Sequence, residues 1–398
     1  MALFDRGFLI RPFAVLFGLV ALAGAPLADT ASFVSGLWPD AQRMGVSRQA
    51  FDAAFSGYRP LANVMELTRR QPEFTATVAD YIGRRVTAAQ VSKGREMRQR
   101  HGQVLAAISQ RYGVQSEVVL AIWGMETNFG GFMGGTNTIH ALATLTQNNY
   151  RRDFFRNELL TALRIVSEGH VRPSNMVGSW AGAMGHTQFM PTSFMRYAVD
   201  YTGDGTKDIW TSIPDALAST ANYLREHGWR PGETWGYEIR LPSGFDFARA
   251  EQMGSAPLSQ WQQMGVARAS GSAFPRPGDV ARLYLPQGAN GPAFLVLHNF
   301  DVIKRYNNSN SYALAVGHLA DRILGSGGFV ASWPAGDYAL SSAQRVELQT
   351  QLNRRGFDVG GPDGVIGPRT RAAIMAFQRQ NGMPADGHAS GLLLNRLK

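Results

Sequence analysis

The sequence predicts a mainly α protein: a helical body, a small β-containing insertion within it, and a small three-helix unit at the C-terminus. Three observations carry that prediction. Apolar residues recur at three- and four-residue spacing across residues 39–224, as in 104–108, 118–122 and 159–165, which is the period of buried helix faces. From Trp235 to Leu297 the pattern changes to short β-rich runs, YEIRL, ARLYLP and AFLVLH, broken by Gly and Pro. A stretch rich in Gly, Ser, Ala and Pro, residues 325–341, then separates the body from a compact unit at 342–398. With 398 residues, 44% hydrophobic and 17% charged, the chain has the composition of folded domains and not of a disordered polymer.

Taken in order, residues 1–28 place Arg6 and Arg11 before an apolar run at 13–23 and end in small residues up to Ala28. This is the layout of a secretory signal peptide cleaved after Ala28. The run is about half the roughly 20 residues that a bilayer-spanning helix needs. The chain has no cysteine, which excludes disulfides and a cysteine-borne lipid anchor and leaves the fold to its core. The net charge is +9, or +8 without the leader and its two Arg and one Asp. A basic exported protein meets anionic wall polymers and membrane surfaces, and no clustered basic helix points to nucleic acid. The eight histidines show no HExxH spacing, so zinc is not expected.

Within the helical body, Ser116 reads as the N-cap of a helix ended by Thr127-Asn128-Phe129-Gly130-Gly131. Glu126 then sits in the last turn, facing the negative end of the helix dipole beside apolar Trp123, Met125 and Phe129. Both effects raise its pKa and keep it protonated, as a general acid for glycosidic cleavage requires. An ordinary surface Glu at a helix end fits the same segment. The stretch GSWAGAMGHTQFMPTSF, 178–194, offers Ser179 and Gln188 for polar contacts and Trp180 and Phe189 for stacking, a mixture suited to a sugar. A tight helix-packing hairpin also needs such small residues. Tyr306, Asn307 and Tyr312 stand at the entry to the helix SYALAVGHLADRIL, as site residues or as capping and staple residues. In that helix Leu314, Val316, Leu319 and Ile323 share a face that packs back on the body.

DYTGDGTKDIW puts Asp200, Thr202, Asp204, Thr206 and Asp208 around Gly205, like the start of an EF-hand calcium loop. Position twelve is Thr211 and the next acidic candidate is Asp215. Two readings stand: a structural calcium site, or an Asp/Gly-rich turn held by its own hydrogen bonds. In the C-terminal unit helices are expected at 342–355 and 368–380 with a short terminal one, and Leu348, Leu352, Ile374 and Phe377 are core.

IWGMETNFG, GSWAGAMGHTQFMPTSF, ANYLREHGW and YNNSNSYALAVG occur in an order and spacing that resemble the lytic murein transglycosylase B family, from about Ser32 to Ser332. The resemblance implies a lysozyme-like helical catalytic domain in which Glu126 is the single acid and base. It places Ser179, Gln188, Tyr223, Tyr306, Asn307 and Tyr312 along the cleft. His186-Thr187 departs from the family's more usual Tyr-Gly pair, which leaves local sugar contacts open. The C-terminal unit, with Gly356-Phe357, Asp363-Gly364, Gly367, Thr370, Ala373 and Phe377-Gln378, resembles the common peptidoglycan-binding domain. The organisation expected is a signal peptide at 1–28, a catalytic domain at 29–332, a linker at 333–341 and a binding domain at 342–398.

The family's reaction needs no cofactor and no second carboxylate: the substrate's N-acetyl group and muramoyl 6-hydroxyl complete it, giving a 1,6-anhydro product. Asp153 and Glu158 remain open as neighbours of Glu126. The same acid with water would make a hydrolytic muramidase, and an inert cleft would make a wall-binding scaffold. The expected partners are periplasmic glycan strands and other wall-remodelling proteins.

Overall fold

A computed structural model describes residues 27–69 and 76–398. The expected leader lies outside these residues except for its last two, which open the helix Leu27–Arg43. Among the described residues no helix is long and apolar enough to cross a membrane.

The helical body is built around Ser116–Thr127, in which every residue from Val118 to Met125 is buried. A helix that is apolar all round must be enclosed by others. Here the enclosing elements are Asn310–Leu324, Ala88–Arg100, Ile213–Glu226 and Gly102–Tyr112. The N-cap differs from expectation. Gln115 holds that position and Ser116 is the first helical residue. The Gln115 side chain is engaged by the indole N–H of Trp229 at 2.8 Å and donates to the Glu233 carbonyl at 3.0 Å, tying the helix start to residues far along the chain.

The insertion is a five-stranded antiparallel sheet in the order Ser255–Pro257, Val280–Tyr284, Ala293–Leu297, Gly236–Arg240, Ala267–Arg268. The strand Ala293–Leu297 is buried on both faces. Because strand side chains alternate, Phe294 and Val296 enter the helical core while Leu295 and Leu297 enter a second core with Ile239, Leu258, Trp261 and Phe274. The sheet is thereby fused to the body by one strand, which leads directly into the helix His298–Tyr306.

The stretch 325–341 is laid against the sheet. Glu238 accepts the backbone N–H groups of Val330 and Ala331 at 2.9 and 2.8 Å, and Phe329 stacks on His318 at 3.8 Å. Beyond it Ser342–Arg354, Pro368–Gln380 and Gly391–Arg396 enclose a third core of Leu348, Leu352, Ile374, Phe377 and Leu394. A capping box between Ser341 and Gln344 starts the first of these helices.

Candidate active site

Glu126 lies in the last turn of Ser116–Thr127, as its spacing predicts, and a run of left-handed residues ends the helix there. Asn128, Phe129 and Gly130 have φ of 53°, 57° and 77°. Positive φ is costly for Phe, so the turn is held by its surroundings: Phe129 N bonds the Trp123 carbonyl at 3.3 Å, and its ring packs edge-on against Trp123. Gly124 is required beneath that ring, since a Cβ there would stand 2.7 Å from Phe129.

The hydroxyl of Tyr312 donates to Glu126 Oε1 at 2.6 Å. Tyr312 is itself buried, 2% exposed, in the first turn of Asn310–Leu324. Burial raises the Glu126 carboxyl to about pKa 7, against the opposing effects of the Tyr312 hydrogen bond and the Arg85 charge. The groups acting on Glu126 include no carboxylate. Glu158 is 2% exposed and accepts Thr192 N and Oγ1 at 2.9 and 2.8 Å, while Asp153 lies on the surface. Neither is a partner of Glu126.

Two residues beside Glu126 escaped the sequence reading. Arg85, at the end of the helix Val78–Arg85, donates to the Met125 carbonyl, the last peptide before Glu126. Tyr81, one turn earlier, is hydrogen-bonded to Arg85 and sits within electrostatic reach of both Glu126 and Tyr312. TVADYIGRRV announces a helix start through its Thr77/Asp80 capping box, but nothing in it ties that helix to residue 126.

Tyr306 and Tyr223 belong to an aromatic cluster with Phe189. Tyr306 donates to the Thr187 carbonyl at 2.6 Å, and Tyr223 donates to the Arg305 carbonyl at 2.5 Å. Their rings lie 4.9 Å apart, with Phe189 packed against both, so Phe189 is a buried residue and not an open stacking platform. Ser179 Oγ accepts Ala181 N and Ala183 N at 3.3 and 3.1 Å, and Gln188 Nε2 donates to the carbonyls of Met133 and Gly185 at 3.1 and 2.9 Å. Both side chains hold the shape of their loop. Asn307 is exposed at the C-cap of His298–Tyr306 and is not brought onto Glu126. His186, where the pattern departs, turns inward: its Nδ1 accepts the Trp123 indole N–H at 3.0 Å, which requires the neutral ring that burial favours.

The carboxylates of the loop at Asp200 are engaged by its own N–H and hydroxyl groups. Asp200 accepts backbone N–H groups of Gly203, Asp204 and Gly205, and Asp204 accepts Thr206 N and Oγ1. Asp208 accepts Trp210 N and Thr211 N, and Asp215, 0% exposed, accepts those of Tyr201, Thr202 and Asp208. Thr202 Oγ1 donates to Asp200 at 3.3 Å. Among the described residues no three acidic or histidine side chains converge as a metal site. The expected calcium ligands Asp200, Thr202, Asp204, Thr206 and Asp215 are here the members of a self-bonded turn.

A carboxyl group raised to about pKa 7 at the end of a buried helix, with a tyrosine hydroxyl bonded to it, is what acid catalysis of glycan cleavage calls for, and the helical fold around it is that of the lysozyme-like glycan-cleaving enzymes. The chain belongs to the family described as Transglycosylase SLT domain, which matches residues 29–321, and residues 341–397 match the putative peptidoglycan-binding domain. It is 33% identical over 295 residues to the membrane-bound lytic murein transglycosylase B of Escherichia coli K12, covering 70% of this chain and 79% of that protein. The crystal structure of SltB3 from Pseudomonas aeruginosa in complex with NAG-anhNAM-pentapeptide is 48% identical with a TM-score of 0.85, covering 92% of this chain and 99% of that one. Escherichia coli Slt35, solved in complex with calcium, is 31% identical with a TM-score of 0.61, over 76% of this chain and 95% of that one. The protein is a lytic transglycosylase acting on peptidoglycan.

Proposed function

We propose that Glu126 is the single acid and base of this enzyme and that it cuts the bond from N-acetylmuramic acid to N-acetylglucosamine without water. The observation that carries the reading is the 2.6 Å bond from Tyr312 to Oε1 of a carboxyl raised to about pKa 7. Since Oε1 is occupied as an acceptor, the carboxyl proton resides on Oε2, free to face substrate. Glu126 gives that proton to the glycosidic oxygen as the bond to muramoyl C1 breaks, and the neighbouring N-acetyl group stabilises the cation-like carbon. The ionised carboxylate, now favoured by Tyr312 and Arg85, takes the proton of the muramoyl 6-hydroxyl as O6 closes on C1. The proton returns to Glu126 and the product end is a 1,6-anhydro ring.

Residues 29–332 form the catalytic part in this reading and 342–398 retain the enzyme on the wall. Ser179, Gln188, Tyr223, Tyr306 and Asn307 shape the cleft. The segment 1–28 directs the chain to the periplasm, where other wall-remodelling proteins would be its neighbours. No cofactor takes part in the chemistry. Glu126→Gln, which keeps size and loses the proton, is expected to lower fragment release from purified peptidoglycan by about a thousandfold or more. Activity within about tenfold of wild type, in a variant that remains folded, would move the acid elsewhere.

A further inference from the structure

The hairpin joining Val280–Tyr284 to Ala293–Leu297 ends in a buried tip on which three parts of the chain close. Gln287, 6% exposed, accepts the backbone N–H of Ala79 on Oε1 at 2.9 Å and donates from Nε2 to Asp337 at 3.5 Å. Asp337 accepts Leu392 N of the C-terminal unit at 3.4 Å. Two residues along the tip, Ala289 N donates to Asp386 Oδ2 at 2.6 Å. The other oxygen of Asp386 accepts Gln378 Nε2 at 2.6 Å and His388 N at 2.9 Å, so this carboxylate joins the tip to the inside of the unit. Gly288, at φ 75°, permits the approach: a Cβ there would lie 2.7 Å from Asp386 Oδ2.

Ala79 is the second residue of Val78–Arg85. The first N–H groups of a helix have no acceptor within it. Thr77 and Asp80 satisfy each other's through the capping box, and Gln287 satisfies that of Ala79. Tyr81 and Arg85, both beside Glu126, are carried on this helix.

We infer that Gln287 is a positioning residue for the reaction: it fixes the helix that sets Tyr81 and Arg85 against Glu126, and does so from a hairpin tip held by the docked C-terminal unit. The inference rests on the reading of Glu126 above. Its consequence is that the unit supports turnover itself and not only retention on the wall. Tethering acts through effective concentration and vanishes on a soluble glycan too short to engage both sites. Positioning through Gln287 persists on such a substrate.

The test uses the full chain, a soluble glycan fragment long enough only for the cleft, and intact peptidoglycan. Gln287→Met keeps the volume and removes both hydrogen bonds. The pair Gln287→Glu with Asp337→Asn keeps an acceptor for Ala79 N and remakes the bond to position 337 with donor and acceptor exchanged, and Asp386→Ala frees the tip from the unit. On the short fragment Gln287→Met is expected to lose about tenfold in kcat with KM within about twofold, and Asp386→Ala to lose activity in the same direction. The double variant regains most of the loss. Amide exchange at Ala79 quickens in Gln287→Met and Asp386→Ala, while Ser116–Thr127 keeps its protection. Unchanged short-fragment turnover in both, with slower digestion of intact peptidoglycan, overturns the inference in favour of a tether alone. Unchanged Ala79 exchange in Asp386→Ala overturns the link to the unit. If Gln287→Met does not fold, the double variant and Asp386→Ala still decide. Glu126→Gln serves as control, expected to lose turnover on both substrates with Ala79 exchange as in wild type, so a failure of the Glu126 reading is seen separately.

Discussion

Glu126 illustrates how a site residue can oppose the stability of its own fold. Its carboxyl is raised from 4.5 to about 7, so the folded state holds a proton that the unfolded chain releases. The folded protein therefore loses stability as pH climbs from the unfolded value through the folded one, and the cost is complete above about pH 7. Glu126→Gln removes the cost. The variant is expected to melt a few degrees above wild type at pH 8 and level with it near pH 4, in thermal denaturation followed by circular dichroism. A variant no more stable than wild type at pH 8 contradicts the burial of a titrating carboxyl. The same value sets the alkaline limb of kcat/KM near pH 7, because only the protonated form can act as acid. Tyr312→Phe deletes a hydrogen bond that favours the ionised form, so its limb moves to higher pH while kcat falls. A limb that stays in place or moves down would separate Tyr312 from the acid.

At the scale of elements, some positions were legible because local chemistry decides them and others were not because packing does. The helix ending at Glu126 follows from an apolar run closed by Asn-Phe-Gly, and the placement in its last turn was readable. Its N-cap was not, because Gln115 is recruited by Trp229 and Glu233. Ser179 and Gln188 have side chains suited to sugar, and their use in the loop itself, through Ser179 Oγ and Gln188 Nε2, is nothing their types announce. The segment after Asp200 looked like a calcium loop because both solutions use the same residues. A turn closed on its own N–H groups and a turn closed on a cation draw on the same carboxylates, and here those oxygens are engaged by N–H groups. The geometry here gives two expectations. Asp215→Asn should destabilise the fold by about 2–3 kcal/mol, since one of the two buried oxygens that accept the N–H groups of Tyr201, Thr202 and Asp208 becomes an N–H donor facing another donor. Millimolar calcium should leave the wild-type melting temperature unmoved. A rise of several degrees with calcium, abolished in Asp215→Asn, would show that the loop reorganises around the ion.

Across the whole molecule, the shifts in composition marked the helical body, the insertion and the C-terminal unit, since each encloses a core of its own with its own periodicity. What joins them was invisible in the sequence. The strand Ala293–Leu297 serves two cores at once, and Gln287 and Asp386 meet only because the hairpin tip lies under the C-terminal unit. Tyr81 and Arg85 belong to the same class of residue: their types and spacing are unremarkable, and tertiary packing alone brings them to Glu126. Cleavage by one acid without water is tested by digesting purified peptidoglycan in ¹⁸O-labelled water and reading the muropeptide ends by mass spectrometry. Anhydromuramoyl ends that carry no label are expected from the wild type, and none from Glu126→Gln. Reducing muramoyl ends carrying ¹⁸O would contradict it and make the enzyme a hydrolase.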